Sequence, residues 1–218
     1  MAAAQKTVKR GSVMACIIFG AGSYYGMERR PEPGDYIIAA DGGWQYCKQE
    51  GIVPDLLLGD FDSLAVVPDF AHIHRVPVEK DDSDMMLAIK DGLAHGQREF
   101  HLYGGMGGAR SDHTLANMQS LLYLTCHGAR GWLYGDRERY TVIRDGSSIT
   151  FPAKEQGIMS VFCMGADAEG VSITGAQYPL SDAALSAEFP LGVSNHFIGN
   201  PVTVSVRNGS LLIGLLDK

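Results

Sequence analysis

The first part of the chain alternates short apolar runs with amphipathic segments. Each apolar run has the length of a buried strand, and most end at glycine or aspartate. Between the runs, apolar residues recur at helical spacing over 84–95 and 112–127, and a third helix is predicted after residue 43. Strands that alternate with helices predict a parallel sheet covered on both faces. The predicted strands are 14–19, 36–40, 56–58, 73–76, 100–103 and 130–135.

The pattern changes near residue 137, where helical spacing gives way to short runs separated by turns. Asp145-Gly146 and Asn208-Gly209 are typical of hairpins. We therefore predict an α/β protein, with an N-terminal parallel-sheet three-layer domain at 13–137 and a small antiparallel β-sandwich-like domain at 138–218. The strands predicted beyond the boundary are 140–143, 158–162, 171–174, 202–206 and 211–216.

Composition narrows the classes of partner. The 218 residues carry a formal net charge of −7 without a basic stripe, which argues against nucleic-acid binding. No apolar run reaches membrane-spanning length, and the basic start is not followed by the apolar stretch of a signal peptide. The four cysteines are scattered, as in a protein with reduced thiols. These features predict a cytoplasmic protein without a membrane or nucleic-acid partner.

Carboxylates follow four successive predicted strands. Asp41, then Asp60 with Asp62, come directly after strands, and further acids lie at 81–84 and at residue 112. A single aspartate in such a place is usually a turn residue or a helix cap. Four together favour one site, because ligands of open α/β sheets bind beyond the carboxyl ends of the strands.

The pair Asp60 and Asp62 alternates with Phe61, which places both carboxylates on one side of an extended segment. Two hard oxygen ligands on a stiff loop suit Mg²⁺, which shares its remaining positions with water and substrate phosphates. A bound cation would also reverse the local sign and attract a polyphosphate to this acidic protein. The cluster 81–84 adds either a further ligand or a cap of the helix that follows.

A glycine-rich segment, residues 104–108, precedes Arg110 and a predicted helix. Bare amides and a helix N-terminus bind phosphate, and an arginine can clamp its oxygens. The segment lacks the Lys-Ser or Lys-Thr of a P-loop, and Tyr25 stands where a dinucleotide fingerprint needs its third glycine. No serine-hydrolase elbow is present, and no histidine pair has zinc spacing; His113, beside Asp112, is the one histidine in a candidate site loop.

Taken in order, these motifs resemble those of the thiamine pyrophosphokinase family. The likeness runs from about residue 17 to about residue 215. It rests on Asp41-Gly42-Gly43, Gly59-Asp60-Phe61-Asp62-Ser63, Lys80-Asp81-Asp82-Ser83-Asp84, Gly104-Gly105, Arg110-Ser111-Asp112-His113, Ile173-Thr174-Gly175, Tyr178-Pro179-Leu180 and Gly192-Val193-Ser194-Asn195.

The resemblance implies an enzyme that transfers the diphosphoryl group of ATP to the hydroxyl of thiamine, giving thiamine diphosphate and AMP. It implies Mg²⁺ as cofactor and a homodimer with the active site at or near the subunit interface. Metal would be held by Asp60, Asp62 and Asp84. The remaining implied roles are catalysis for Asp60, Asp62, Asp81, Asp84, Arg110 and Asp112, nucleotide binding for Asp41, Gly42, Gly105, Arg110, Asp112 and His113, and thiamine binding for Tyr178, Ser194 and Asn195.

Three alternatives stay open at the level of sequence. A diphosphokinase with another hydroxymethyl acceptor, such as a pterin, would use the same acids. A metal-dependent nucleotide phosphohydrolase would need no second organic substrate. A binding module would retain ligands without turnover. The residues also leave open which of Asp81, Asp82 and Asp84 binds metal, and whether Asp81 or Asp112 orients or deprotonates the acceptor hydroxyl.

Overall fold

A computed structural model of the chain describes residues 14–60, 70, 72–75 and 81–217. Asp62 and Lys80 lie outside these residues. Within them the helices are α1 (Trp44–Glu50), α2 (Asp84–Ala94) and α3 (Ser111–Cys126). The strands are β1 (Cys16–Phe19), β2 (Tyr36–Ala40), β3 (Leu56–Gly59), β4 (Ile73–Arg75), β5 (Glu99–Tyr103), β6 (Arg130–Tyr134), β7 (Glu138–Arg144), β8 (Ser148–Phe151), β9 (Ile158–Cys163), β10 (Ala168–Thr174), β11 (Leu180–Leu185), β12 (Gly192–His196), β13 (Val202–Ser205) and β14 (Ser210–Leu216).

The first six strands form a parallel sheet in the order β6-β5-β1-β2-β3-β4. Side chains of a strand alternate between two faces, and in β1 both faces are buried. Cys16 and Ile18 pack in the cluster that includes residues of α2 and α3, whereas Ile17 and Phe19 pack on the side of α1. The predicted three-layer arrangement is therefore correct, as is the α/β class.

The sheet does not end where the helices end. After β6 the chain turns at residues 135–137, and β7 returns antiparallel, with Leu133 opposite Tyr140. Strands β14, β9 and β12 continue the same sheet, which has ten strands in the described residues. In β14, Leu212 faces the cluster under α3, while Leu211 and Ile213 face the opposite side.

The four remaining strands form a second, antiparallel sheet in the order β11-β10-β13-β8. It packs on the antiparallel part of the large sheet through a common apolar cluster, which gives the predicted sandwich-like arrangement. The two parts thus share one continuous sheet and are not joined by a linker. The division between residues 137 and 138 falls in the turn before β7 and stays a prediction.

Strands β8, β11 and β12 were not among the predicted strands. Each lies at an edge of its sheet, so that it pairs with a neighbour on one side. Edge strands are half exposed and carry more polar residues, as Leu180–Leu185 and Gly192–His196 do. Their apolar pattern is therefore too weak to distinguish them from loops.

The four cysteines are free, as predicted; Cys16 and Cys47 are buried and Cys126 is exposed. None of the helices in the described part of the chain is both long enough and apolar enough to span a bilayer.

Candidate active site

A cavity of about 410 Å³ lies at the carboxyl ends of β1, β2 and β5, beside the N-termini of α2 and α3. Its lining includes Asp41, Asp84, Gly105, Arg110 and His113. Parallel strands bring their carboxyl ends to one edge of a sheet, and this edge is where open α/β sheets bind ligands. Five of the residues implied by the family resemblance therefore share one cavity.

One wall of the cavity is built from two glycine-containing turns that hold each other. The amide of Gly22, just after β1, donates to the carbonyl of Gly104, just after β5, at 2.7 Å. Gly104 has a φ of 63°, and a Cβ added there would lie 2.3 Å from the carbonyl oxygen of Gly20. A side chain at residue 104 would therefore push the two turns apart. Tyr46 of α1 fastens the same wall by donating to the carbonyl of Gly22 at 2.6 Å.

The rest of the glycine-rich segment is fastened to α3. The amide of Gly107 donates to Thr114 Oγ1 at 3.2 Å, and Asn117 Nδ2 donates to the carbonyl of Gly105 at 2.7 Å. Gly107 and Gly108 are exposed, at the mouth of the cavity. The amide of Gly108 and the N-terminus of α3 suit an anionic ligand.

Arg110 stands at the start of α3 and is paired with Asp112. Its Nε donates to Asp112 Oδ1 at 3.0 Å and its Nη2 donates to Oδ2 at 2.7 Å. Both side chains are exposed. The hydrogen bonds from Arg110 lower the pKa of Asp112 to about 2, and the same pair raises the pKa of Arg110. Asp112 is thus joined to the cavity through the guanidinium that lines it.

Carboxylates lie at the ends of β2 and β3 and at the start of α2. Asp41 follows β2 with a φ of 48°, and Gly59 at the end of β3 packs against it, because a Cβ added at Gly59 would lie 3.1 Å from Asp41 Cα. Asp60 follows Gly59 directly and is not among the described residues that line the cavity. Asp84 is the first residue of α2, after Ser83, whose hydroxyl accepts from the amide of Met86.

The chemistry of these donors fits Mg²⁺, since Asp41, Asp60 and Asp84 offer only hard oxygens. No group of three or more histidine, cysteine, aspartate or glutamate side chains is gathered tightly enough to hold a metal among the described residues. Asp62, the other half of the predicted pair, falls outside that part of the chain. Mg²⁺ sites use one or two carboxylates together with substrate phosphates.

The other acids of the 81–84 cluster do not line the cavity. Asp82 pairs with Lys90 on the next turns of α2, at 2.6 Å between Nζ and Oδ2. Asp81 is exposed in the turn before α2. Gly42 packs against Ala21 across the strand ends. Of the described residues that line the cavity, none is Asp81, Asp82 or Gly42.

The three residues implied in thiamine binding form a separate group in the antiparallel part. Asn195 is buried; its Oδ1 accepts from the amide of Tyr178 at 2.9 Å and its Nδ2 donates to the carbonyl of Tyr178 at 2.7 Å. Tyr178 itself is 59% exposed. Ser194, with a φ of 61°, is exposed beside them. None of the three is among the described residues that line the cavity.

Sequence reasoning missed part of the cavity. The turn of residues 20–23, Tyr46, Met85 and Asn117 also line it. The turn follows β1 directly, so the rule that polar loops follow strand ends could have included it. Asn117 lies inside a helix two turns from the loop that it holds, and no local pattern distinguishes it from an exposed polar residue.

A parallel sheet with carboxylates at one side of its active edge, and a glycine-rich loop with an arginine at the other, defines a phosphoryl-transfer enzyme of the α/β class. Two family models match the chain: "Thiamin pyrophosphokinase, catalytic domain" over residues 31–132 and "Thiamin pyrophosphokinase, vitamin B1 binding domain" over residues 147–211. Together they cover most of the chain. The protein belongs to the thiamin pyrophosphokinase family and is a transferase.

Known proteins of this family resemble the chain along its length. The thiamine pyrophosphokinase of Bacillus subtilis (strain 168) is 25% identical over 182 residues, which cover 81% of this chain and 85% of that protein. The crystal structure of thiamine pyrophosphokinase from Bacillus subtilis superposes with a TM-score of 0.83 at 23% identity, covering 94% of this chain and 99% of the other. Thiamin pyrophosphokinase from Candida albicans has a TM-score of 0.72 at 13% identity, covering 94% and 89%. These structures share the two-part fold.

Proposed function

We propose that this protein is a thiamine diphosphokinase whose cavity binds ATP with Mg²⁺ and whose antiparallel part supplies the thiamine site. The transferred group is the diphosphoryl group of ATP, and the products are thiamine diphosphate and AMP. The observation that carries the proposal is the convergence of Asp41, Asp84 and Arg110 in one cavity at the carboxyl edge of the sheet. Family membership favours thiamine over a pterin as the acceptor.

In this proposal the acids Asp60, Asp62 and Asp84 hold the metal, and Asp41 faces it from the end of β2. When bound, Mg²⁺ neutralises charge on the phosphate oxygens and fixes their orientation. Asp84 is preferred to Asp82 as a ligand because Asp84 lines the cavity, whereas Asp82 is paired with Lys90.

Arg110, His113 and the amide of Gly108 receive the phosphates. Attack of the thiamine hydroxyl on the β-phosphorus breaks the bond to the α-phosphate oxygen, so AMP leaves with the bonding electrons. Positioning and charge stabilisation carry most of the catalysis in such transfers. Arg110 supplies both, since its planar guanidinium can donate to two phosphate oxygens at once.

Asp112 acts on Arg110 and not as a base. Both carboxylate oxygens of Asp112 accept from Arg110, which competes with a contact to the acceptor hydroxyl. Its two hydrogen bonds instead orient the guanidinium toward the cavity. Of Asp81 and Asp112, we therefore propose Asp81, which is exposed beside α2, for contact with the acceptor hydroxyl.

Thiamine is a cation with two aromatic rings, and an exposed aromatic side chain in an acidic protein suits it. We propose that Tyr178 stacks on it, that Ser194 contacts it, and that Asn195 holds Tyr178 in place. The side-chain oxygen and nitrogen of Asn195 both form hydrogen bonds with the backbone of Tyr178.

A homodimer completes the site in this proposal. Within one chain Tyr178 and Ser194 are not part of the cavity lining, so a second copy would bring them to it. Exposed apolar side chains lie on the same part of the chain, and such groups favour association. They are Phe189, Leu191, Val193 and Ile198.

The cytoplasm is the compartment we propose, because it supplies ATP and keeps an exposed thiol such as Cys126 reduced.

The deciding experiment is incubation of the protein with ATP, Mg²⁺ and thiamine, followed by identification of the products. We expect AMP and thiamine diphosphate in equal amounts. AMP with pyrophosphate, independent of thiamine, would identify a phosphohydrolase. ADP with thiamine monophosphate would overturn diphosphoryl transfer, and a parallel incubation with a hydroxymethylpterin tests the other acceptor.

A further inference from the structure

Asn117 is a buried polar residue in the lining of the cavity. It lies in α3, is 6% exposed, and faces the same space as Arg110 and Asp84. Its Nδ2 donates to the carbonyl of Gly105 at 2.7 Å. Because that carbonyl can only accept, the amide nitrogen must point toward Gly105, which fixes the orientation of the side chain.

The other end of this amide, Oδ1, accepts no hydrogen bond from the described residues. In that part of the chain, no side-chain nitrogen or oxygen atom without a partner is sealed from solvent. The small exposed part of Asn117 therefore includes Oδ1, and the space next to Asn117 is the cavity. An acceptor on a buried residue that opens onto the cavity is available to a donor of a bound ligand.

We propose that Asn117 Oδ1 accepts a hydrogen bond from the bound nucleotide and helps select it. Phosphate oxygens carry no proton to donate near neutral pH, so the donor belongs to the nucleoside: the exocyclic amine of adenine or a ribose hydroxyl. The inference rests on the proposed function to the extent that ATP is the ligand.

The surroundings of Asn117 agree with a nucleoside at this position. The side chains of Arg110 and His113 are exposed, whereas Met85 is buried beside Asn117. The Met85 methyl lies close to both glycine turns, because a Cβ added at Gly20 would be 2.7 Å from it and one added at Gly105 would be 3.3 Å from it. An apolar side chain beside an amide acceptor suits a nucleoside better than a phosphate.

The same residue therefore has two separable effects. Through Nδ2 it holds the Gly105 turn, which affects every ligand of the cavity equally. Through Oδ1 it would distinguish ligands that have the donor from ligands that lack it. A hydrogen bond to a buried acceptor contributes about tenfold in affinity, so the second effect is measurable as a ratio.

The test measures dissociation constants by titration calorimetry with Mg²⁺ and without thiamine. The ligands are ATP, purine riboside triphosphate, which lacks the exocyclic amine, 2′-deoxy-ATP and 3′-deoxy-ATP. We expect the wild-type protein to bind one of the three analogues about tenfold more weakly than ATP. In Asn117→Ala and Asn117→Ser that analogue and ATP should bind with equal affinity, and the identity of the analogue names the donor.

Two results would overturn the inference. One is a wild-type protein that binds all four nucleotides within twofold of each other. The other is a variant that weakens all four by the same factor, because then Asn117 acts through Gly105 alone. Should both variants fail to fold, a structure of the wild-type complex with ATP decides, and an Oδ1 more than about 3.5 Å from every nucleoside donor refutes the contact. Since thiamine is absent, failure of thiamine turnover would be seen separately.

Discussion

Arg110 and Asp112 form a two-pronged ion pair across the first turn of α3, with Nε–Oδ1 and Nη2–Oδ2 distances of 3.0 and 2.7 Å. The pair is exposed, and yet it holds the guanidinium that lines the cavity. An incoming phosphate must therefore share Arg110 with Asp112 or displace it. The pair orients the arginine before the substrate binds, which reduces the entropy lost on binding.

Asp112→Asn should lower kcat/KM for ATP by about tenfold, because a neutral amide orients Arg110 less firmly. The thermal midpoint should not change, since exposed ion pairs contribute little to folding. Steady-state kinetics and thermal denaturation check the two expectations. Asp145→Asn is the matched control: Asp145 forms another exposed pair with Arg144, in the hairpin after β7. Equal kinetic losses in both variants would contradict the role given to Asp112.

Substitutions of Asp82 and Asp84 should have different effects on the Mg²⁺ concentration that the enzyme needs. Asp84→Asn should raise the Mg²⁺ concentration for half-maximal rate by about tenfold or more, because the amide replaces a carboxylate ligand without a change of volume. Asp82→Asn should leave it unchanged, since that carboxylate pairs with Lys90. Mg²⁺ titrations of the initial rate distinguish them. A larger shift for Asp82→Asn would assign the ligand to Asp82 instead.

Substitutions of Asn195 and Tyr178 should affect stability and thiamine binding differently. Asn195→Ala removes both hydrogen bonds to the Tyr178 backbone, so the free energy of unfolding should fall by about 1–3 kcal/mol and KM for thiamine should rise. Tyr178→Ala should raise KM for thiamine by about tenfold without loss of stability, because the ring is exposed. Tyr178→Phe keeps the ring and is the control. A KM for ATP that rises as much as that for thiamine would contradict this division.

His101 predicts a pH dependence of stability that is separate from catalysis. It is buried in β5, where its Nδ1 lies 2.8 Å from the hydroxyl of Tyr134 and its Nε2 lies 3.7 Å from Glu99. Burial lowers the pKa of His101 from 6.5 to about 4, and the positive charge of Arg29 acts in the same direction. The unfolded chain therefore binds a proton more readily than the folded protein between these two values.

Stability from this histidine is fully present above pH 6.5 and is lost as the pH falls toward 4. Between pH 7 and pH 5 the loss amounts to about 2 kcal/mol. Urea denaturation at both pH values checks it, and His101→Gln should flatten the dependence. His127, whose ring is exposed beside Tyr123, is the control, since His127→Gln should leave the slope unchanged. A slope that survives in His101→Gln would assign it to other groups.

The buried strands and helices were predictable because burial leaves a clear apolar pattern in their sequences. Strands β1 and β2 are continuously apolar, and the buried Leu121 and Leu124 of α3 recur at helical spacing, although Leu115 of the same helix is exposed. The edge strands β11 and β12 were missed, since half-exposed strands carry polar residues whose pattern resembles that of loops.

Some residues of the candidate site were also predictable from the sequence, and others were not. Asp41, Asp84 and Arg110 were predictable because each follows a strand end or begins a helix at the active edge. The contact of Asn117 with Gly105 spans twelve residues and depends on how α3 packs, and the pairing of Asp82 with Lys90 depends on side-chain orientation. Neither is encoded in local spacing. Tyr178 does not line the cavity within one chain, and a site shared across a homodimer stays a prediction.

If the active site is shared between two chains, the fraction of active sites in a mixture of two variants can be predicted. At Mg²⁺ and thiamine concentrations far below those that the variants need, Asp84→Asn should leave the nucleotide half nearly inactive and Tyr178→Ala the thiamine half. When the two variants are co-expressed with different tags, mixed dimers contain one site with both halves intact and one with both altered. Random pairing makes half of the dimers mixed, so about a quarter of all sites should be active. If each site is built from a single chain, the mixture should show no more activity than the separate variants. Sedimentation of the wild-type protein provides the control, because a monomer could not show complementation.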